Sequence, residues 1–94
     1  MTKQERQLQD LVSVGPAIAR DFVALGVRSV AQLAKRNPER LFEQFCQLTG
    51  ESQDICCLDV FRAAVAQARN PALPKQQCQW WYWSRLRKAR DGRS

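Results

Sequence analysis

The residues best suited to chemistry are the backbone amides around Gly15-Pro16, in the segment Leu11-Val-Ser-Val-Gly-Pro-Ala-Ile-Ala19. A glycine lets the backbone turn sharply and come close to a partner. Pro16 suits the first position of a helix, because its φ is already helical and it has no N–H. A helix that begins there offers free N–H groups and the positive end of its dipole to an anion. We therefore expect the amides of Gly15, Ala17 and Ile18 to bind one phosphate.

Positive charge is concentrated at the C-terminal end of the chain, whose formal net charge is +6. Residues 1–68 hold eight basic and eight acidic residues, whereas residues 69–94 hold seven basic residues and only Asp91 as an acid. If the chain binds a polyanion, this tail supplies most of the attraction. The alternative is a solvated basic end that only aids solubility.

Four consecutive aromatic residues, Trp80-Trp-Tyr-Trp83, stand just before the basic run. On a helix they would cover roughly 300° at about 100° per residue, so one core face cannot take them all. They could form an apolar lid, stack on unpaired bases, or contact a protein partner. The stacking or contact residues would be Trp80, Trp81, Tyr82 and Trp83, and the phosphate-binding residues would be Arg85, Arg87, Lys88 and Arg90.

The cysteines Cys46, Cys56, Cys57 and Cys78 could form a metal site by number, but their spacing argues against one. Structural zinc sites usually pair ligands two to four residues apart, and this chain has no histidine to complete a mixed site. We expect core or unpaired thiols, with metal binding or redox chemistry as the alternatives. A disulfide is not expected in a reducing cytosol. No metal and no cofactor are predicted.

Catalysis is not expected. The chain lacks histidine, a Walker motif and a Gly-x-Gly-x-x-Gly loop, and no small-molecule substrate is evident. Its 94 residues make one small domain with a modest core, too short to enclose a flipped base. Asp59 is expected to cap a helix or pair with Arg62.

No apolar run approaches the ~20 residues of a membrane span, and the polar N-terminus resembles no signal peptide, so we expect a cytoplasmic protein without a membrane partner.

Start and stop signals predict an all-α chain of five to six helices with no strand. The helices are expected over residues 2–12, 16–25, a short segment from 29, a segment from 37, 54–69 and 80–90, with a break at 70–74. The inward-facing residues are expected to be Ile18, Phe22, Leu25; Val30, Leu33, Ala34; Leu41, Phe45, Leu48 with Phe42 and Cys46 beside them; and Cys57, Phe61, Ala64, Ala68. Residues 1–74 would form the helical domain, and residues 75–94 an aromatic and basic segment packed on it or extending from it.

Residues 11–19, followed by Gly26-Val27, resemble the helix-hairpin-helix motif, which binds the DNA backbone without sequence preference in many repair proteins. Leu11, Val14, Gly15, Ala19 and Gly26 match the positions that set the shape of the hairpin. Ser13 stands where the motif usually has its first glycine, and Ala17 stands where DNA-binding members often have a basic residue. The resemblance therefore implies the fold of the motif more strongly than its binding.

A wider resemblance covers most of residues 8–88. It rests on Val14-Gly-Pro-Ala-Ile-Ala-Arg-Asp-Phe22, Asn37-Pro-Glu-Arg-Leu41, Asp59-Val-Phe-Arg62 and Trp80-Trp-Tyr-Trp83. These phrases are similar to those of the small bacterial family of pathogenicity-locus or mitomycin-resistance proteins. The resemblance implies a short helix-hairpin-helix protein. The family name suggests a link to DNA damage and implies no particular activity.

These observations predict a non-catalytic accessory protein that binds DNA independently of sequence. The amides of Gly15, Ala17 and Ile18 would hold one phosphate, Arg20 could reach a neighbouring phosphate, and the basic tail would attract the DNA. The alternative is a protein-interaction module, or a homodimer, that uses the Trp80–Trp83 segment while the hairpin serves only the fold.

Overall fold

The computed structural model describes residues 7–91, and within them the chain forms five α-helices and no β-strand. The helices are α1 (Pro16–Ala24), α2 (Val30–Ala34), α3 (Pro38–Thr49), α4 (Ile55–Arg69) and α5 (Trp80–Asp91), with 3₁₀ helices at Leu8–Asp10 and Lys75–Cys78. The radius of gyration of 13.3 Å is near the ~13 Å of a compact domain of this size. The predicted all-α class is confirmed.

Most helix boundaries follow the signals in the sequence. The side chains of Ser29, Asn37 and Asp54 accept hydrogen bonds from backbone amides in the first turns of α2, α3 and α4. Gly26 follows the end of α1 with φ at +87°, and Gly50 ends α3 with φ at +75°. Both values lie in the left-handed region that glycine adopts at little cost. The polar caps and these two glycines therefore set where four of the helices begin or end.

The first predicted helix is wrong in its described part. Residues 1–6 lie outside the described chain, Leu8–Asp10 forms a single 3₁₀ turn, and the chain turns from Leu11 onward instead of remaining helical to Val12. The carboxylate of Asp10 accepts a hydrogen bond from the Gln7 amide at 2.7 Å. Such a local bond offers the backbone an alternative to the α-helix. The second 3₁₀ helix, at Lys75–Cys78, was not predicted either.

The core is built around the ring of Phe61 on α4. This ring lies 5.1 Å from that of Phe22 on α1, and 5.7 Å and 6.4 Å from those of Phe45 and Phe42 on α3, measured between centroids. Phe22 and Phe61 have no exposed surface. Contacts between aromatic rings stabilise a fold beyond the area they bury. The long helix α4 is therefore the element on which α1 and α3 meet.

Leu48 departs from the predicted core. It shares a face of α3 with the buried Leu41, yet it is 55% exposed. Leu48 lies in the last turn of the helix, two residues before Gly50. Helical periodicity identifies a face, but it does not say how far along the helix another element covers that face.

Helix α5 packs antiparallel on α4. The carbonyl of Cys78, just before α5, meets Gln67 near the end of α4, whereas Arg87 meets Asp59 near its start. The C-terminal segment is therefore fixed to the helical core at both ends of α5. The proposed division between residues 74 and 75 stays a prediction.

Candidate nucleic-acid interface

The turn segment (residues 11–15) connects the first 3₁₀ helix to α1. Leu11 and Val14 are buried, and the Val14 amide donates to the Leu11 carbonyl at 3.2 Å. Ser13 between them has φ at +73°. Few residues other than glycine adopt this left-handed conformation, which explains why a glycine is usual at the matching position of the motif. The tight turn is kept here with a serine.

The side chain of Gln67 on α4 is hydrogen-bonded to the backbone of the turn segment. Its Oε1 accepts from the Val12 amide at 2.8 Å, and its Nε2 donates to the Val12 carbonyl at 3.0 Å. The same Nε2 lies 3.4 Å from the carbonyl oxygen of Cys78. Gln67 is only 5% exposed. The turn segment and the residues that precede α5 therefore meet at one buried amide, which fixes both.

Sequence reasoning missed Gln67. The available signal was a polar residue within an otherwise apolar stretch of α4, between Ala66 and Ala68. A buried polar side chain in such a stretch requires hydrogen-bond partners, and here they are backbone groups of other segments.

The N-terminus of α1 is open to solvent. Gly15 and Ala17 are exposed, Ile18 is half-buried, and no side chain caps the first turn. A Cβ atom placed on Gly15 would meet no atom within 4 Å. Because α2, α3 and α4 all have a side-chain cap, α1 differs from them in leaving its first amides to water or a ligand.

Arg20 lies one turn into α1 and is exposed. It neighbours Asp21. Partial burial raises the pKa of the Asp21 carboxyl, and the positive charge of Arg20 offsets part of this rise. The two side chains bring charges of opposite sign to the same part of α1. The turn segment and α1 therefore have no net charge of their own, in line with the balanced charges of residues 1–68.

The aromatic segment (Trp80–Trp83) divides into two pairs. Trp80 and Trp81 are 39% and 37% exposed, whereas Tyr82 and Trp83 are half-buried. The indole N–H of Trp83 donates to the Gln77 carbonyl at 2.8 Å. Tyr82 and Trp83 therefore pack against the rest of the protein, as expected of an apolar lid, while the rings of Trp80 and Trp81 remain accessible to solvent.

The exposed pair lies at the same end of the molecule as the turn segment, because Trp80 follows Cys78 by two residues and Cys78 meets Gln67. The guanidinium of Arg85 lies over the Trp81 ring, 4.9 Å from its centroid, which is a cation–π contact. This end of the molecule thus combines the open amides of α1, two exposed indoles and the guanidinium of Arg85.

The predicted phosphate-binding residues of the tail do not act together. Arg85, Lys88 and Arg90 are exposed, but Arg87 is directed inward, against the fully buried Asp59. Its Nη2 lies 2.9 Å and its Nε 3.2 Å from Asp59 Oδ2. The charge of Arg87 compensates a buried carboxylate, so we remove it from the set of phosphate ligands.

Asp59 also pairs with Arg62 at 3.5 Å, as the sequence predicted. The sequence did not indicate that Arg87, 28 residues further along, would be its closer partner. The Asp59–Arg87 contact lies eight residues of α4 away from Gln67. That is about 12 Å along the helix, so the basic end of α5 is separated from the turn segment.

The four cysteines are unpaired and half-buried. Among the side chains that the structure describes, residues 7–90, no three Cys, Asp or Glu come together as a metal site would require. Burial raises the pKa of the Cys57 thiol, and the nearby Asp54 carboxylate raises it further. The pKa of Cys56 is raised by the same two causes. Raised values disfavour the thiolate that metal binding and nucleophilic attack require.

Comparison with known proteins gives two matches. Residues 1–89 match the family described as Pathogenicity locus (Cdd1). The chain is also 39% identical, over 82 residues, to the mitomycin resistance protein McrB of Streptomyces lavendulae, an alignment that covers 86% of this chain and 73% of the relative. No solved structure matches the chain significantly. No helix in the described residues is long and apolar enough to cross a membrane.

Proposed function

The chain belongs to the pathogenicity locus family, and we propose that it is a cytoplasmic, non-catalytic protein that binds the DNA backbone without sequence preference. In this proposal the first 3₁₀ helix, the turn segment and α1 form a variant of the helix-hairpin-helix motif. The observation that carries the proposal is the open first turn of α1, where the amides of Ala17 and Ile18 have no side-chain cap.

The amides of Gly15, Ala17 and Ile18 would donate to one phosphate. An exposed helix N-terminus favours an anion through both its N–H groups and its dipole. Glycine at position 15 leaves room for the phosphate, since no atom occupies the space of a Cβ there. Gln67 fixes the turn segment through Val12, so these donors would be held in place before DNA arrives.

Other groups at this end of the molecule would extend the contact. The exposed Arg20 would reach a second phosphate, and unpaired bases would stack on the exposed rings of Trp80 and Trp81. Lys88 and Arg90, farther along α5, would contribute long-range attraction rather than contacts beside the hairpin. The name of the relative from Streptomyces lavendulae refers to mitomycin resistance, which supports placing this binding in tolerance of DNA damage.

The proposal is tested by changing the charge at Ala17, which is exposed and has no role in the core. Ala17→Glu should stabilise α1 by about 0.3–1 kcal/mol through the helix dipole, yet weaken DNA binding about tenfold. Ala17→Lys should destabilise α1 and strengthen DNA binding. It should also steepen the dependence of the logarithm of the binding constant on the logarithm of the salt concentration by about 0.9 on duplex DNA. Binding is measured by fluorescence anisotropy with labelled duplex and single-stranded DNA over a salt series, and stability by urea unfolding.

Matched controls are Ala24→Glu and Ala24→Lys, which make the same charge changes at the exposed far end of α1. If these variants change DNA affinity as much as the Ala17 variants do, the contact is not at the helix N-terminus. Gly15→Val adds an independent test. The backbone there is extended, so valine should fold normally while its side chain blocks the phosphate. Unchanged binding by Gly15→Val would refute the hairpin contact.

A second candidate function is contact with a protein partner or with a second copy of the chain. The observation in its favour is the exposed apolar surface formed by Trp80, Trp81 and Val12. The Val12 side chain is 40% exposed, and these residues lie at the end of the molecule where Gln67 contacts both the turn segment and Cys78. Tryptophan is enriched at the centres of protein interfaces. Sedimentation equilibrium of the wild type and Trp80→Ser/Trp81→Ser distinguishes the cases: a dimer that the double variant abolishes supports self-association.

A further inference from the structure

A groove of about 280 Å³ lies between α4, α5 and the start of α3. Its middle is lined by apolar residues, which are Val65 and Ala66 of α4 and Trp83 and Leu86 of α5. Leu86 is 43% exposed, and Ala66 and Trp83 are half-buried. We call this surface the α4–α5 groove. Its apolar strip is thus partly open to solvent.

Arginines stand at the two ends of this strip. Arg69 lies at the end of α4, whereas Arg87 lies beside Asp59 near its start. Positions 59 and 69 are about 15 Å apart along the helix, at 1.5 Å per residue. Arg62 and Arg90 belong to the Asp59 end, because Arg62 also pairs with Asp59 and Arg90 follows Arg87 by almost one turn. The two ends would therefore contact different parts of a ligand.

At the Asp59 end, two of the guanidinium groups are already engaged with carboxylates. Arg87 pairs with the buried Asp59, and Arg62 donates to Glu39 through Nη2 at 2.8 Å and Nε at 3.0 Å. Their charges are balanced by these two acids. Arg62 and Arg87 therefore add little attraction for a further anion.

Arg69 keeps its positive charge at the other end. Its Nε donates to the Ala34 carbonyl at 2.9 Å and its Nη2 to the Arg36 carbonyl at 3.0 Å. These bonds fix the guanidinium without neutralising it, and they use two of its five N–H donors. None of the ion pairs among the described side chains, residues 7–90, involves Arg69, which is exposed. A fixed guanidinium of this kind suits a carboxylate.

We propose that the α4–α5 groove binds an amphipathic helix of a partner protein. Apolar side chains of that helix contact Leu86, Trp83 and Ala66, and one of its carboxylates pairs with Arg69. A helix suits the site because two helices already line it, and the side chains of a third can enter between their ridges. The charge of Arg69 selects a partner that is acidic at that end.

The size of the groove favours a protein over a small molecule. Small-molecule sites usually measure ~300–1,000 Å³, so about 280 Å³ suits a few side chains of a partner better than a whole ligand. The groove is separate from the surface formed by Trp80, Trp81 and Val12, none of which lines it. It also excludes the first turn of α1, so the inference does not depend on DNA binding there.

The test uses a synthetic helical peptide of about 14 residues, which spans ~20 Å as a helix. The peptide carries leucine along one face and glutamate beside that face, and a matched peptide carries glutamine in place of each glutamate. Affinity is measured by fluorescence anisotropy of the labelled peptides, and NMR of the Leu86 methyl groups and the Trp83 indole N–H locates the site. The acidic peptide should bind about tenfold more tightly, the effect of one charged hydrogen bond.

Two variants of α5 test the place of binding. Leu86→Glu should weaken binding of the acidic peptide about tenfold or more, because a like charge replaces an apolar contact in the groove. Ala89→Glu adds the same charge at an exposed position of the same helix that does not line the groove. It should change affinity less than about twofold, since solvent and salt screen the charge. Ala17→Glu should leave peptide binding unchanged, which separates this inference from the proposed function.

Arg69→Gln tests the charge at the end of the groove. It should reduce the preference for the acidic peptide over the glutamine peptide from about tenfold to less than about twofold. Comparison of the two peptides on the wild type tests the same charge recognition, and it does not depend on how well this variant folds.

Five results would overturn the inference. No binding of the acidic peptide at up to about 1 mM would mean that the groove accepts no such helix. Equal affinity for the two peptides would mean that charge is not recognised, and equal losses in Leu86→Glu and Ala89→Glu would place the contact elsewhere. Displacement of the peptide by a single-stranded oligonucleotide that shifts the Leu86 signals would assign the groove to nucleic acid. A dimer that is lost in Leu86→Glu and kept in Ala89→Glu would assign it to a second copy of the chain.

Discussion

Asp59, which has no exposed surface, accepts hydrogen bonds from both Nε and Nη2 of Arg87, at 3.2 Å and 2.9 Å to its Oδ2. The two residues are 28 positions apart and belong to α4 and α5. Ser84 adds a contact at 3.4 Å to the same guanidinium. A buried carboxylate needs such partners, because burying a lone charge is costly. This pair therefore joins the basic helix to the core.

Arg87→Met should destabilise the protein by about 3 kcal/mol, because the buried Asp59 side chain is left with only the longer Arg62 contact. Asp59→Asn should cost less, about 2 kcal/mol, since Arg87 and Arg62 are partly exposed and can reach water. Urea unfolding of both variants and of the double variant measures the coupling. We expect the free energy of unfolding to fall less in the double variant than the sum of the two single losses. Strict additivity would show that the pair is not coupled.

Gln67→Ala should loosen the turn segment. It leaves the Val12 amide and carbonyl without their partner, at a cost of about 2 kcal/mol. Hydrogen exchange at the Val12 amide should accelerate more than exchange in the middle of α4, because local opening no longer breaks these bonds. Gln47→Ala, at an exposed position of α3, is the control and should change neither quantity. Unaltered exchange at Val12 would show that Gln67 does not restrain the turn segment.

The two pairs of the aromatic segment should respond differently to truncation. Trp83→Ala should cost about 2–3 kcal/mol, because the indole is half-buried and its N–H is bonded to Gln77. Trp81→Ala should cost less than about 1 kcal/mol, the worth of an exposed cation–π contact with Arg85. Thermal unfolding of the two variants compares them directly, and equal losses would contradict the division into lid and accessible rings.

Asp54 should make the stability of α4 depend on pH in the acidic range. A hydrogen bond from the Cys56 amide to its carboxylate lowers the pKa of Asp54 below the ordinary 3.8. A lowered folded-state pKa means that the stabilisation is complete above about pH 4 and is lost as pH falls through the folded-state value. The thermal midpoint of the wild type should therefore fall more steeply below pH 4 than that of Asp54→Asn, which caps without a charge. Parallel curves would rule out the contribution of Asp54.

Much of the fold follows from local chemistry. The caps at Ser29, Asn37 and Asp54 and the left-handed Gly26 and Gly50 act within one turn of chain, so their effect is readable from the residues alone. Residues Leu8–Asp10 form a 3₁₀ turn instead of the expected α-helix. The reason is that the hydrogen bond from the Gln7 amide to the Asp10 carboxylate spans only three residues and competes with the backbone bonds of an α-helix.

The sequence by itself determined the five α-helices, the start of α1 at Pro16 and the surplus of positive charge in the last quarter of the chain. Only the tertiary structure decided that Gln67 holds Val12 and that Arg87 pairs with the buried Asp59. The reason is the range of the interactions. Periodicity and capping depend on neighbours within four residues, whereas a buried polar group selects its partner from whatever segment the packing of helices brings within hydrogen-bond distance.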